Sequence, residues 1–273
     1  MHFTSSRGVH RPPTLRELDD MAEFERAGPS IEQFSIGELE LPVHYTDGSA
    51  LACIYRVDLA AARSVIADDW FEPLPVGGKA MAQLTALEYR ETSVGPYNEL
   101  GLLVLARRSG SAPSTIRTLL TPESVENAGW YAVSLPVTTG FACAAGRELW
   151  GFPKYVTRID TEFVRDGAQV ILGDELVIEH RARFGMQVPA PPYVFLSALD
   201  GRIIRTVVSM EHTLRLGGAR SVQVHVTGDG PTAQVVQRLG LDRLRPMMAA
   251  RADQLKFALP LGTTVGSMPL RIV

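Results

Sequence analysis

Lysine is almost missing from this chain. Of its 27 basic residues only Lys79, Lys154 and Lys256 are lysines, so arginine carries nearly all the positive charge, and a lysine where it does occur is a chemical choice. Cysteine is scarce too. Cys53 and Cys143 lie in apolar stretches without the paired spacing of zinc or redox motifs, which excludes a disulfide framework and reads as two reduced core residues. The histidines are His2, His10, His44, His180, His212 and His225; they form no His-x-x-x-His pair and have no carboxylate at ligand spacing, so no metal is expected. His212 is the best placed of them for a functional role, a hydrogen-bonded sheet histidine being the alternative. No apolar run approaches the roughly 18–20 residues that span a bilayer, and the N-terminus lacks the succession of a signal peptide. The expected compartment is the cytoplasm, with no membrane partner. A formal net charge of −3 offers no basic face to nucleic acid. There is no Gly-x-Ser-x-Gly nucleophile elbow, and Leu214–Gly218 and Gly228–Gly230 read as hairpin or loop connections rather than phosphate cradles, so no cofactor is expected.

What is present is a core-forming chain. With 273 residues, 45% of them hydrophobic, one sizeable domain is expected. Residues 1–40 read as an N-terminal extension carrying one helix, Thr14 to Ala27, with Thr14 and Glu17 as a capping box. Gly28 to Gly48 reads as a loop with a short strand around Leu39 to His44. Residues 41–273 form the domain proper. Strands are expected at Ala50 to Val57, Ala80 to Tyr89, Leu100 to Arg107, Trp130 to Val137, Tyr155 to Phe163, Ala168 to Gly173, Glu175 to Arg183, Arg202 to Arg215, Ser221 to Val226 and Gln254 to Leu259. Helices are expected after Asp58, after Thr138 or Thr139, and from Thr232 to Arg251, the last interrupted at Gly240 and Pro246. Asp166-Gly167 and Asp200-Gly201 mark hairpins. Few long helices separate the strands, so the fold class is mostly antiparallel β (α+β), not a doubly wound parallel sheet.

The chemistry concentrates in Gly146-Arg147-Glu148-Leu149-Trp150-Gly151-Phe152-Pro153-Lys154-Tyr155, which sets one of the three lysines among aromatics after a tight turn. A guanidinium stays protonated at any accessible pH, whereas an ε-amine can shed its proton when desolvated and then attack a carbonyl. Lys154 is therefore a candidate nucleophile. A lysine flanked by aromatics can also lay its stem on them and hold its head in water, and the spacing alone does not separate the two. Arg147 and Glu148, adjacent at the end of a helix, point to different sides; each is a candidate substrate contact or half of an ion pair that holds the turn. Arg147 suits a carboxylate, which a guanidinium binds bidentately.

The whole string resembles the acetoacetate decarboxylase family, in which a Gly-Arg-Glu stretch leads through an aromatic-Pro step to the Schiff-base lysine. The resemblance places Lys154 on the catalytic position. Gly95-Pro96-Tyr97-Asn98-Glu99 is similar to the family segment that ends in an active-site glutamate, which maps to Glu99. Ile54-Tyr55-Arg56-Val57-Asp58 and the Ala-rich run after it resemble the family's early strand and helix. These patches run from about Leu51 to Tyr155; the C-terminal third resembles the family weakly, and the first forty residues not at all. The resemblance implies a barrel-like antiparallel fold around a water-poor cavity, with flanking helices, and a homo-oligomer. It also implies a small oxo acid as substrate, bound by Tyr97, Arg147, Glu148, Trp150 and Phe152.

Two departures matter. The family's usual pattern places a second lysine directly after the nucleophile, where its charge helps to free the amine; Tyr155 stands there instead. An arginine before the early strand also lacks a counterpart, the ungapped pairing landing on Gly48. Three functions stay open on these residues: decarboxylation of a 3-oxo acid through a Lys154 iminium, aldol condensation and dehydration of a 2-oxo acid such as pyruvate with an aldehyde, and non-catalytic binding of a small ligand. Glu99 fits either proton-transfer role. Tyr155 does so only if its hydroxyl points inward, and strand alternation turns it away from Lys154.

Overall fold

A computed structural model describes residues 30–181 and 185–267; the helix expected at Thr14 to Ala27 lies outside them. Among the described residues four α-helices, Leu59–Val65, Thr115–Leu120, Gly140–Trp150 and Pro231–Leu239, accompany a chain that is otherwise mostly strand. The centre is a run of neighbouring antiparallel strands, Val43–Val57, Ala80–Thr92, Tyr97–Arg108 and Ala128–Val137, within a large sheet of thirteen strands. That sheet forms an open path from Gln187–Pro189 at one end to Thr263–Ser267 at the other, so the expected barrel-like interior is bounded by a sheet that does not close on itself. A separate four-stranded sheet carries Ile159–Val164, Gly167–Leu172, Leu176–Arg181 and Val222–Val226. The expected antiparallel character holds, with two exceptions: Ala128–Val137 pairs in parallel with both Tyr193–Leu199 and Lys154–Val156.

The central sheet is apolar on both faces, as a doubly covered sheet must be. On one side Leu51, Cys53, Tyr55, Leu84, Leu100 and Leu102 pack against the small sheet and the Pro231–Leu239 helix. On the other, Tyr45, Tyr89, Tyr97, Leu103, Leu135, Trp150 and Phe152 form a second cluster. At roughly 25 cal/mol per Å² of apolar surface buried, these two layers supply the main drive to fold. Both cysteines are free; burial pushes the Cys53 thiol up to about 12.

Several expected boundaries move, each for a local reason. The loop expected at Gly28 to Gly48 is a hairpin, Ser30–Phe34 with Gly37–Leu41, followed by the long Val43–Val57 strand. Asp58 does sit at the N-cap of Leu59–Val65, but its carboxylate is engaged by Lys79 instead of the helix amides. Tyr155 to Phe163 divides into Lys154–Val156 and Ile159–Val164, because the chain changes sheets at Thr157-Arg158. Arg202 to Arg215 likewise divides into Arg202–Val208 and Thr213–Leu216. The helix expected over Thr232 to Arg251 stops at Leu239, where Gly240 takes the left-handed conformation that ends it (φ 71°). Met248–Ala252 is then a strand paired with Ile54 to Ala50, tertiary pairing having overridden the helical preference of Met and Ala. The strand expected at Gln254 to Leu259 shortens to Phe257–Leu259, and a further strand, Thr263–Ser267, follows it. The Thr115–Leu120 helix was not anticipated. The Asp200-Gly201 hairpin is as expected, with φ of 48° and 74° at its two turn residues, the signature of a two-residue hairpin turn.

The reading of Gly228–Gly230 as a mere loop needs correction. This stretch follows the Val222–Val226 strand and opens the Pro231–Leu239 helix, the arrangement that offers amides to an anion. The anion is already supplied by the protein: buried Glu175 accepts from the Thr232 and Ala233 amides at 2.8 and 3.1 Å.

All seven tyrosines are held protonated by the fold. Burial, the first cause in every case, pushes each phenol above its ordinary value, Tyr155 to about 12 and the other six further. Unfolded phenols ionise near pH 10, so the associated stability is fully present below that pH and is lost as pH rises beyond it. Tyrosinate absorbance is therefore expected to stay flat through the ordinary phenol range and then to rise together with loss of near-ultraviolet dichroism. A gradual titration of several tyrosines near pH 10 in the folded protein contradicts this.

Candidate active site

The Gly146–Tyr155 string folds as its residue types dictate. Thr139 caps the Gly140–Trp150 helix by accepting from the Ala142 amide at 3.4 Å. Gly151 ends it in the left-handed region (φ 67°), and the Gly151 and Phe152 amides return to the Arg147 and Gly146 carbonyls at 3.1 and 3.0 Å. A Cβ on Gly151 would also stand 2.3 Å from the Ala198 carbonyl oxygen, so glycine is required there twice over. Pro153 then turns the chain into Lys154–Val156, which pairs with Leu135 to Val137.

This route lays the Lys154 side chain across the helix that precedes it. A Cβ on Gly146 would lie 2.5 Å from the lysine Cδ and 2.7 Å from Cε, so the missing side chain at Gly146 is the groove through which the lysine passes. The amine ends 2.7 Å from Glu99 Oε2. Both residues are buried, each 8% exposed. Glu99 comes from the Tyr97–Arg108 strand, opposite Leu87 and Val137. The two residues that the sequence singles out, 55 positions apart, thus meet as a buried ion pair.

Around the amine lies a cavity of about 30 Å³ lined by Leu39, Tyr45, Tyr97, Gly146, Trp150 and Phe152 among others, with Lys154 the one charged residue on its wall among the described residues. The Tyr97 ring centroid is 5.7 Å from Nζ. Trp150 and Phe152 stack at 6.4 Å and 7°, and the Trp150 indole donates to the Pro260 carbonyl at 2.9 Å. Lys154 and Phe152 also border an open depression of about 510 Å³, together with Arg147, Pro153, Leu199 and Asp200. Arg147 is exposed there and donates to the Lys154 carbonyl at 3.3 Å.

Glu148 does not join these residues. It is exposed and accepts from the Ser35 amide and hydroxyl at 2.8 and 2.5 Å, bonds that hold its carboxyl below the ordinary range. It ties the N-terminal hairpin to the helix. Tyr155 faces away from Lys154, as alternation requires: its hydroxyl donates to Glu175 at 2.9 Å and meets Thr232 at 2.7 Å. His212 is outside the cavity, its Nδ1 3.0 Å from the Lys256 carbonyl oxygen. Sequence reasoning missed Tyr45, whose hydroxyl lies 2.8 Å from that of Tyr97 on the cavity wall. Among the described residues no three His, Cys, Asp or Glu side chains converge as a metal would require, and no helix is long and apolar enough to cross a membrane.

Fold and site together define a class: a mostly antiparallel β protein that buries a lysine–glutamate pair beside an aromatic cavity. The chain belongs to the acetoacetate decarboxylase family, whose family model, acetoacetate decarboxylase (ADC), matches residues 34–198, more than half of it. Solved structures share the fold. An acetoacetate decarboxylase from Legionella pneumophila superposes with a TM-score of 0.62 at 16% identity, over 98% of this chain and 99% of that one. The enduracididine biosynthesis enzyme MppR, complexed with pyruvate, gives 0.57 at 15% identity, over 88% and 99%. An acetoacetate decarboxylase-like enzyme from Sphingomonas wittichii RW1 gives 0.55 at 13%, over 84% and 95%. No match was found among curated protein sequences.

Proposed function

We propose that this chain is a Schiff-base-forming lyase acting on a small oxo acid, with Lys154 as the nucleophile and Glu99 as the proton-transfer group. The observation that carries the reading is the buried 2.7 Å contact between them beside an apolar cavity. In this site the proton needs no water to leave the amine: its transfer to Glu99 gives a neutral nucleophile and a neutral acid without changing the net charge. Condensation with a ketone then forms an iminium ion beside the returned Glu99 carboxylate, which stabilises it more strongly than water would. The iminium withdraws electrons from the neighbouring carbon, so a β-carboxylate leaves as carbon dioxide with its bonding pair forming the enamine; the carbon then takes one proton, drawn from solvent water and delivered through Glu99. An apolar wall of leucine, valine and aromatic side chains favours loss of the charged carboxylate.

The size of the cavity limits the guest. Roughly 10–15 Å³ holds a single water, so 30 Å³ admits only a small group, and the rest of a substrate extends towards the depression where Arg147 stands. Arg147 is the candidate there for a carboxylate. A second reading, aldol condensation and dehydration of a 2-oxo acid with an aldehyde, is favoured by one departure: Tyr155 occupies the family's second-lysine position and turns its hydroxyl to Glu175.

The two are separated by assaying carbon dioxide from acetoacetate against the absorbance of an unsaturated product from pyruvate and an aldehyde. Glu99→Gln is expected to reduce either turnover by about 10²–10⁴-fold while leaving a borohydride-trappable imine. A Glu99→Gln protein that turns over at the wild-type rate removes Glu99 from the chemistry. A wild type that traps oxo acids without releasing any product points to the binding protein instead.

A further inference from the structure

We propose that the Tyr45–Tyr97 hydroxyl pair is the site that holds the carbonyl oxygen of the guest as Lys154 attacks it; the proposal rests on the reading of Lys154 as the imine-forming amine. Nothing in the neighbourhood of these residues in the sequence marks Tyr45 for such a role. The geometry does. The two hydroxyl oxygens are 2.8 Å apart and buried, and both residues line the cavity that contains the amine. Their rings are fixed: Tyr45 stacks on Phe257 at 4.2 Å and 11°, and Tyr89 leans on Tyr45 at 4.6 Å and on Tyr97 at 4.7 Å.

Counting hydrogens shows what the pair has to offer. Two hydroxyls carry two protons, and the bond between them uses one. Among the described residues neither hydroxyl has another hydrogen-bond partner, so one O–H is left to donate. The rest of the wall has no such donor. Apart from Lys154 itself it is aliphatic or glycine with two aromatics, Phe152, whose ring has no donor, and Trp150, whose indole N–H is spent on the Pro260 carbonyl. A ketone that presents its carbon to Nζ must put its oxygen somewhere, and among the described residues the phenol pair is the one neutral side-chain donor left on the cavity wall.

Neutrality is secured by the surroundings. Burial first and then the nearby Glu99 carboxylate keep the Tyr45 hydroxyl protonated, and burial followed by the Tyr45 phenol and Glu99 does the same for Tyr97. The pair therefore holds the oxygen without giving up a proton. Addition forms the Nζ–C bond and moves the carbonyl π pair onto oxygen, whose developing charge the free O–H stabilises. That oxygen then takes one proton from the nitrogen and one from the Glu99 carboxyl, which had received it from the ammonium, and leaves as water; the nitrogen lone pair closes the iminium and Glu99 is again a carboxylate.

Because the contact is to the carbonyl oxygen, it serves charged and uncharged ketones alike, which is the basis of the test. Borohydride trapping rates, read by intact mass, are compared for acetoacetate, pyruvate and acetone in the wild type, Tyr45→Phe, Tyr97→Phe and the double variant, with Tyr89→Phe as a control for disturbance of the aromatic cluster. Tyr45→Phe and Tyr97→Phe are expected to slow adduct formation by about 10–100-fold for acetone and the acids equally, with near-ultraviolet dichroism retained and Tyr89→Phe at the wild-type rate. Wild-type rates in the double variant overturn the proposal. So does a slowing confined to the two acids, which would put the hydroxyls on a carboxylate. No adduct in the wild type with any of the three compounds overturns the imine reading and the proposal with it, and the wild-type sample tells that failure from the other two.

Discussion

Lys154→Ala is expected to abolish the borohydride-trapped adduct and to destabilise the protein by about 3 kcal/mol. The loss of adduct follows from the lysine count: Lys79 and Lys256 lie on the surface, engaged with Asp58 and Glu211, and neither reaches the cavity wall. The loss of stability follows from burial. Lys154 and Glu99 side chains are 9% and 10% exposed, and removing one partner of a buried pair leaves the other charge without compensation, which costs about 3–5 kcal/mol. Replacing both partners by apolar residues of similar size is often neutral or stabilising. Lys154→Met combined with Glu99→Leu should therefore recover the thermal midpoint that Lys154→Ala loses and still form no adduct. If the double variant is as unstable as the single one, the pair is not the uncompensated group. If Lys154→Ala still traps a ketone, the nucleophile lies elsewhere.

Gly146→Ala is expected to separate function from stability. Gly146 sits inside the Gly140–Trp150 helix with an ordinary helical backbone, where alanine is the better residue by up to about 1 kcal/mol. Its new methyl, however, would stand 2.5 and 2.7 Å from the lysine Cδ and Cε and 3.3 Å from Nζ. Those atoms belong to the far end of a flexible side chain, so the lysine moves and the helix stays. An amine displaced by even 1 Å from its working position costs about 100-fold in rate. The thermal midpoint should hold or rise while trapping and turnover fall by that order. A Gly146→Ala protein that is fully active shows that the amine works from another position; one that fails to fold shows that the helix, not the lysine, yields.

The legible part of this site was local. Gly151, Phe152, Pro153 and Lys154 are contiguous, and residue type alone marks the tight turn and the lysine after it; Gly146 stands in the same short string, but its role as the lysine's groove shows only in the fold. Glu99 was readable as the end of a second short string, although only pairing of the strands could show that it meets the lysine. Tyr45 was not readable. Along Val43–Val57, alternation assigns Tyr45, Leu51, Cys53 and Tyr55 to one face, yet Tyr45 packs in the lysine's cluster and the other three on the opposite side. The register shifts between Tyr45 and Gly48 are the cause: a bulge re-phases the strand and turns a side chain to the other face. No local pattern announces a bulge of this kind.

The same distinction explains the errors in the fold. Met248–Ala252 has helical composition, and only its position beside Val43–Val57 makes it a strand. The Gly228–Gly230 stretch opens a helix, and its amides are met by a glutamate more than fifty residues earlier in the chain. Arg251, buried in that strand, donates to the Val164 and Gly167 carbonyls, the latter at 2.9 Å, partners that only the assembled sheets bring within reach. Composition fixed none of these; long-range pairing did.

The most direct test of the account is peptide mapping after reduction. Wild-type protein is incubated with acetoacetate or with pyruvate, treated with borohydride, digested and searched for the mass increment on each of its three lysines. The account requires one adduct, on the peptide that contains Lys154, absent when either the oxo acid or the reductant is left out. An increment on Lys79 or Lys256 alone, or none on any lysine with either acid, would contradict it.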